Sequence, residues 1–103
     1  MSERRVSGRQ EIDFFFNKYL GGYPHLCRSV DLSSSGILAD AINEPNIGGE
    51  SFPIELRLPG DSQTLWLWGR KVRQKGRRQA IRFVNLTEDD ERRIARYLAV
   101  AAA

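Results

Sequence analysis

The sequence is poor in the residues that usually announce chemistry. Its one cysteine, Cys27, cannot close an internal disulfide, which excludes a stapled secreted scaffold. Its one histidine, His25, lies two residues before that thiol, and no second cluster of ligands completes a metal site, so both residues read as structural. The serine run Ser33, Ser34 and Ser35 has no accompanying base and orienting group, so a nucleophilic triad finds no support. Long apolar runs are missing as well. The most apolar stretch, Ile12 to Leu20, is interrupted by Asp13, Asn17 and Lys18 and is too short to span a bilayer, and no apolar segment follows Met1 within signal-peptide reach. Internal repeats and long linkers are also absent. These deficits lead to the expectation of a soluble, cytoplasmic protein that is not an enzyme, carries no cofactor or metal and does not insert into a membrane.

What is present is one domain's worth of chain. At 103 residues it suits a single hydrophobic core, and its 41% hydrophobic and 28% charged content is ordinary for a globular protein. The formal net charge of +3, from 16 Lys+Arg against 13 Asp+Glu, permits an anionic partner without demanding a nucleic acid. Residues 1–11 are mostly polar and read as a flexible arm. Residues 12–100 then form the folded domain.

Period-2 patterning dominates that domain. Ile12 to Tyr19, His25 to Val30, Ile37 to Ile42, Ile54 to Leu58, Thr64 to Val72 and Ala80 to Leu86 read as six strands. They are separated by the turn signals Gly21-Gly22, Asp31 to Gly36, the loop Asn43 to Glu50, Pro59-Gly60-Asp61 and Gln74-Lys75-Gly76. Phe14, Phe15 and Phe16 cannot all face inward because strand faces alternate, which leaves Phe15 outside. Gly69 inside the fifth strand signals a bulge or a close backbone approach. After Leu86 the period lengthens. Thr87 precedes Glu88, Asp89 and Asp90 as a helix N-cap, and Ile94, Tyr97 and Leu98 share one face of a helix over 87–100. Six short strands and a closing helix predict a mainly β fold: a small antiparallel barrel capped by one helix.

Two local features carry chemistry. The first is Arg5-x-x-x-Arg9, preceded by Arg4; the second is Asp31-x-Ser33-x-x-Gly36. Arginine's planar fork fits phosphate oxygens and the O6/N7 edge of guanine, and its flat face stacks on a purine. An ionised Asp31 accepts hydrogen bonds and so complements the N1–H and N2–H₂ donors on guanine's other edge. Ser33 donates and accepts, and Gly36, lacking a Cβ, lets the backbone approach a base. Each feature alone is weak, since a basic arm is commonly just solvated and an Asp/Ser turn commonly bonds its own backbone.

Taken in this order, the pair resembles the signature of the PilZ family: an arginine pair on an N-terminal arm, a hairpin, then an Asp/Asn-x-Ser-x-x-Gly turn. The likeness extends over nearly the whole chain, through the Pro59-Gly60 turn, the aromatic strand with Gly69, the Ile81-Arg82-Phe83 strand and the closing helix. It implies a six-stranded PilZ-type barrel and a bacterial cyclic di-GMP receptor, with Arg5, Arg9, Asp31, Ser33 and Gly36 around the ligand. Arg4 holds the position that, in similar proteins, goes with two intercalated ligand molecules. The implied mode of action is an adaptor whose arm is ordered by the ligand and which then signals to a partner protein not named by the sequence. The sequence departs from the family pattern at Ala80, where many relatives have glycine. It departs again between Gly69 and Val72, where one extra residue implies a bulge or a shifted register.

Two other readings compete. One is a PilZ-fold interaction module that does not bind the nucleotide. The other is a nucleic-acid-binding barrel using Arg70, Lys71, Arg73, Lys75, Arg77 and Arg78 with Trp66 and Trp68, disfavoured by the modest charge. That basic hairpin reads first as solvated surface, able also to touch ligand phosphate or an acidic partner. The two tryptophans read as packing in the core or against the helix.

Overall fold

A computed structural model describes residues 10–42, 44 and 51–102. The elements are β1 (Gln10–Glu11), β2 (Phe15–Leu20), β3 (Tyr23–Leu32), β4 (Gly36–Ala41), β5 (Ser51–Leu56), β6 (Leu65–Lys75), β7 (Arg78–Val84) and α1 (Glu88–Ala102). All strand pairs are antiparallel, in the order β1-β3-β2-β5-β6-β7-β4, and a further β3–β4 pairing closes β2 to β7 into a six-stranded barrel. Closure leaves no long unpaired edge, which is how small antiparallel proteins avoid edge-to-edge association. The short β1 lies outside this ring, and Gln10 and Glu11, assigned from sequence to the arm, pair with Leu32 and Asp31 at the end of β3.

Alternation builds the core. Phe16, Leu20, Cys27, Ile37, Ile54, Leu56, Leu65, Leu67, Ile81 and Phe83 all point inward and are nearly inaccessible. Phe15, between two inward or half-buried phenylalanines, is exposed as the pleat requires. Glycines sit where the turns demand them. Gly21 and Gly22 both have positive φ in the tight β2–β3 hairpin, where a primed turn matches the strand twist. Pro59 and Gly60 form a type II turn, with Gly60 at φ 86 and the Asp61 amide donating to the Leu58 carbonyl at 2.9 Å.

Gly69 answers to a close approach. A Cβ there would collide with the Ile54 side chain and lie 2.7 Å from Cγ2 of Ile81. The bulge is separate and falls at Val72, where the β6–β7 register jumps between Lys71 and Arg73. The extra residue noted in the sequence between Gly69 and Val72 is accommodated there.

The helix begins as expected, with the Thr87 hydroxyl accepting from the Asp90 amide at 3.0 Å and the Asp90 carboxylate accepting from the Thr87 amide at 3.3 Å. Ile94 is fully buried, with Tyr97 and Leu98 packed partly against the core. Arg93 reaches from the helix to Asp61 at 2.9 Å and to the Gln63 carbonyl at 2.8 Å, which ties down the β5–β6 loop. Asp61 is held below the usual carboxylate range, first by the Gln63 amide and then by Arg93. Trp66 and Trp68 correct the expectation of core or helix packing. They are 57% and 51% exposed, because Leu65 and Leu67 take the inward positions of β6.

Candidate ligand-binding site

The Asp31 to Gly36 segment, read from sequence as a turn, is narrower as a turn than expected: Asp31 and Leu32 end β3, residues 33–35 make the hairpin turn, and Gly36 begins β4. Its geometry explains why serine and glycine stand where they do. The Ser33 amide donates to the Gly36 carbonyl at 2.9 Å, and Leu32 pairs with Ile37, so the turn is closed from both sides. The Ser33 hydroxyl folds back into the loop, accepting from the amides of Gly36 at 3.2 Å and Ser35 at 3.3 Å. Only 7% of Ser33 is exposed, so its first role is to shape the turn. Gly36 starts β4 hard against β7. A Cβ there would collide with the Ile81 carbonyl oxygen and lie 3.3 Å from Arg82 Cα. The Ser35 carbonyl meanwhile accepts from the Phe83 amide at 2.9 Å, docking the turn onto β7.

Asp31 is partly exposed on the outer wall. The β3–β4 register shifts between Ser29 and Asp31, which turns Asp31 to the same face as Leu38. Its position is set on both sides, by Glu11 of β1 and by Leu38 of β4. Entry to the barrel is stapled by Ser29. Its amide donates to the Phe14 carbonyl at 2.8 Å, its hydroxyl accepts from the Phe14 amide at 2.9 Å, and the hydroxyl also donates to the Ile12 carbonyl.

Beyond the turn, the wall of β3, β4, β7 and β6 presents three lateral rows. Ile37, Ala39, Ile81 and Phe83 point inward, so their sequence neighbours face out. The pairings then align Gly36 with Arg82 and Arg70; Asp31 with Leu38, Ala80 and Arg73; and Arg28 with Asp40, Arg78 and Lys75. Arg78 grips Asp40 bidentately at 2.9 and 3.0 Å, and Arg28 grips Asp13 at 2.7 and 2.6 Å. The Arg78 hydrogen bond holds the Asp40 carboxyl below its usual range. Asp40 in turn pushes Arg78 higher, with a smaller push from Asp31 across the wall. A concavity of about 570 Å³ is lined here by Leu38, Arg73, Lys75, Arg78 and Ala80.

Of the residues singled out in the sequence, the structure brings Asp31, Ser33 and Gly36 together at the tip of one hairpin, Asp31 at the end of β3, Ser33 in the turn and Gly36 at the start of β4. Arg4, Arg5 and Arg9 lie outside the described residues, and β1 follows them directly in the chain. Sequence reading gave the basic hairpin of this wall first as solvated surface, able also to touch ligand phosphate or an acidic partner, and gave Leu38 and Ala80 no part. The signal was available in the alternation of Ala80, Ile81, Arg82 and Phe83, which sends the alanine and the arginine to one side. It also overlooked Lys18, which is 1% exposed inside the barrel. Among the described residues no three His, Cys, Asp or Glu side chains gather as a metal site would require.

A family model described as PilZ domain matches residues 3–100. The chain belongs to the PilZ family. Among solved structures, it is similar to the PilZ domain of CeSA from a cellulose-synthesizing bacterium. The two are 19% identical, with a TM-score of 0.72 over 94% of this chain and 100% of that one. That likeness establishes the six-stranded barrel with its C-terminal helix. No curated protein sequence matches the chain. PilZ domains are a cyclic di-GMP-binding family of binding modules rather than enzymes. Among the described residues of this PilZ domain, no helix is long and apolar enough to cross a membrane.

Proposed function

We propose that this PilZ domain is a cyclic di-GMP receptor that acts as an adaptor, with the arginine arm and the Asp31 turn taking opposite edges of one guanine. The observation that carries this reading is the pairing of β1 with β3. Gln10 faces Leu32 and Glu11 faces Asp31, so the polypeptide that continues toward Arg9, Arg5 and Arg4 leaves the barrel beside the turn. At no more than about 3.6 Å of reach per residue, Arg5 is tethered within roughly 18 Å of Gln10. Encounter between arm and turn is therefore an intramolecular event over a short tether.

Arg5 and Arg9 would take the guanine O6/N7 edge and the phosphates, Asp31 the N1–H and N2–H₂ donors, and Gly36 the close backbone contact. Ser33 would act chiefly by holding the turn. Arg4 supplies a further cation for the charge of a second, intercalated ligand. The residues before β1 then serve as the arm, with β1 and residues 12–100 as the scaffold. Ordering backbone costs roughly 1–2 kcal/mol per residue, and charged hydrogen bonds return about 1.5–3 kcal/mol each, so several contacts are needed to hold the arm closed. The closed arm would form the surface read by a partner protein in the cytoplasm.

Calorimetry with cyclic di-GMP, with GTP and cyclic GMP as controls, tests the reading. Arg5→Ala or Arg9→Ala is expected to weaken cyclic di-GMP binding by at least about tenfold. Wild-type affinity in either variant, or no heat with the unaltered protein, refutes it.

A further inference from the structure

We infer that the outer face of β2, β5 and the first half of β6 is a docking surface for a partner protein that presents an arginine, whose guanidinium lies on Trp66 and is paired by the Glu55 carboxylate. This surface lies on strands other than those of the Asp31 turn and needs no nucleotide, so it stands whether or not the domain is a receptor.

Exposure singles the surface out. Leu65 and Leu67 take the inward positions of β6, so Trp66 and Trp68 face out and stay more than half exposed. The pairings set Trp66 opposite Glu55 and Trp68 opposite Pro53, with Asn17 of β2 on the other side of Glu55. Leu26 of β3 continues the row beyond Asn17 and is itself exposed. Tyr19 closes on Trp66, and beside the rings opens a concavity of about 520 Å³. Apolar side chains gathered around a hollow, rather than scattered singly, mark an interaction site.

Glu55 sets the chemistry of the occupant. Four carboxylates of the barrel and its loops are matched to cations: Asp13 to Arg28, Asp40 to Arg78, Asp61 to Arg93 and Glu44 to Lys18. Glu55 is held by neutral groups instead. Its Oε1 accepts from the Tyr19 hydroxyl at 3.0 Å and from the Asn17 amide at 3.3 Å. Both bonds fall on one oxygen, which leaves Oε2 to accept from a further donor. Arg57, two residues along β5, donates to Thr64 Oγ1 at 3.3 Å. A half-buried carboxylate beside an exposed indole is complementary to a flat cation. The guanidinium of arginine stacks on an indole face while its edge donates to a carboxylate. Directly opposed residues of an antiparallel pair have Cβ atoms about 5 Å apart, so one guanidinium can touch both Trp66 and Glu55.

The Tyr19–Glu55 hydrogen bond fixes ring and carboxylate before a partner arrives, so docking orders few side chains. The same carboxylate disfavours other occupants. It repels the phosphates of a nucleic acid stacked on the tryptophans. In an isologous pair of two copies each patch meets itself, which brings two Glu55 carboxylates together.

The chain has two tryptophans, so their indole N–H resonances report on this surface directly. The full chain, without cyclic di-GMP, is titrated with capped Ala-Arg-Ala, with capped Ala-citrulline-Ala as the uncharged isostere, and with oligothymidylate. The arginine peptide is expected to shift the Trp66 indole resonance saturably, with an affinity at least about tenfold above that of the citrulline peptide. That comparison needs no variant. Glu55→Gln keeps an oxygen for Tyr19 and Asn17 while removing the charge, and should weaken the arginine peptide by at least about tenfold. Equal binding of the two peptides, wild-type affinity in Glu55→Gln, or no indole shift overturns the docking site. A saturable shift with oligothymidylate alone assigns the surface to nucleic acid and overturns it too. So do dimers in analytical ultracentrifugation that Trp66→Ala dissolves and the arginine peptide leaves intact, which would make the occupant a second copy.

Discussion

Two walls of one barrel, built by the same alternation, carry opposite chemistry. The outer face of β3, β4, β7 and β6 is polar and cationic, with the Asp40–Arg78 pair, Asp31 and the arginines of the hairpin. Around β2, β5 and the first half of β6 the outer face is aromatic. Tyr19 packs against Trp66 in a tilted contact with centroids 5.5 Å apart, and these two line a second concavity of about 520 Å³ with Pro53 and Trp68. The interiors differ too. Leu65, Leu67, Ile54 and Leu56 give β5 and β6 an apolar backing, whereas Gln79 of β7 meets Lys18 of β2 in a buried polar triangle. There Lys18 Nζ donates to Gln79 Oε1 at 2.5 Å and sits 2.7 Å from Glu44 Oε1, Gln79 Nε2 donates to Glu44 Oε2 at 3.1 Å, and the Phe52 ring lies 4.6 Å from the ammonium. Packing fixes which residues face in. It leaves the outward chemistry free, and the difference between the walls is therefore information about binding.

The largest effect expected from breaking this contrast comes from inside. Lys18→Ala leaves the Glu44 carboxylate and the Gln79 carbonyl without their cation in a site that water scarcely reaches. Removing one member of such a pair costs about 3–5 kcal/mol, to be read as a lower urea midpoint. Lys18→Met combined with Glu44→Gln removes both charges and should recover most of the loss. Hydrogen exchange should quicken more at Gln79 to Ile81 than at Leu65 to Leu67, because the triangle braces β7. Equal acceleration at both places would mean that the two walls are not separately supported.

Much of this architecture was legible in the sequence, for physical reasons that can be named. Strict alternation gave Ile54, Leu56, Leu65 and Leu67 their faces, and Thr87 with the acidic run after it marked the helix start. The Asp31 to Gly36 turn was legible because serine, glycine and aspartate have few other ways to satisfy a backbone there. Three things were not legible. Lys18 stood out only as a charge interrupting an apolar stretch, since nothing in the local pattern reveals the Glu44 and Gln79, distant in sequence, that let a lysine occupy the inward face it shares with Phe16 and Leu20. The exposure of Trp66 and Trp68 ran against the hydrophobic expectation, as the leucines between them had already filled the interior. The lateral rows depend on register, and register across β3, β4 and β7 is a tertiary property set by two bulges.

On the aromatic wall the expected effects are smaller. Trp66→Ala removes the contact with Tyr19, whose hydroxyl is itself fixed by donation to Glu55 at 3.0 Å. The loss should be about 0.5–1.5 kcal/mol beyond the area effect, again read from urea denaturation. Cyclic di-GMP affinity should be unchanged, because Trp66 lies outside the three rows that contain Asp31 and Arg73. A drop in affinity would merge the two walls into one binding surface and require the ligand to wrap around β6.

The smallest expected effect is a pH dependence centred on Cys27, which points inward from β3 behind the charged wall. Burial pushes its thiol up to about 11, with Lys18 lowering it and Glu44 raising it by lesser amounts. A raised folded value means that the native state favours the neutral thiol. The associated stability is complete below the unfolded value, roughly 8.5, and drains away as pH climbs toward 11. At pH 9 the loss is about 1 kcal/mol. The difference in stability between the wild type and Cys27→Ala should therefore shrink between pH 8 and pH 10. Iodoacetamide should label native Cys27 far more slowly than the urea-unfolded chain at pH 8, since only the thiolate reacts. Because the thiol feels Lys18 directly, Lys18→Ala should move the upper end of this pH window higher while its onset, set by the unfolded thiol, stays in place. A thiol that titrates at its unfolded value in both proteins would show that the interior behind the charged wall is wet, and the contrast with the dry leucine backing of the aromatic wall would then lie in hydration rather than in charge.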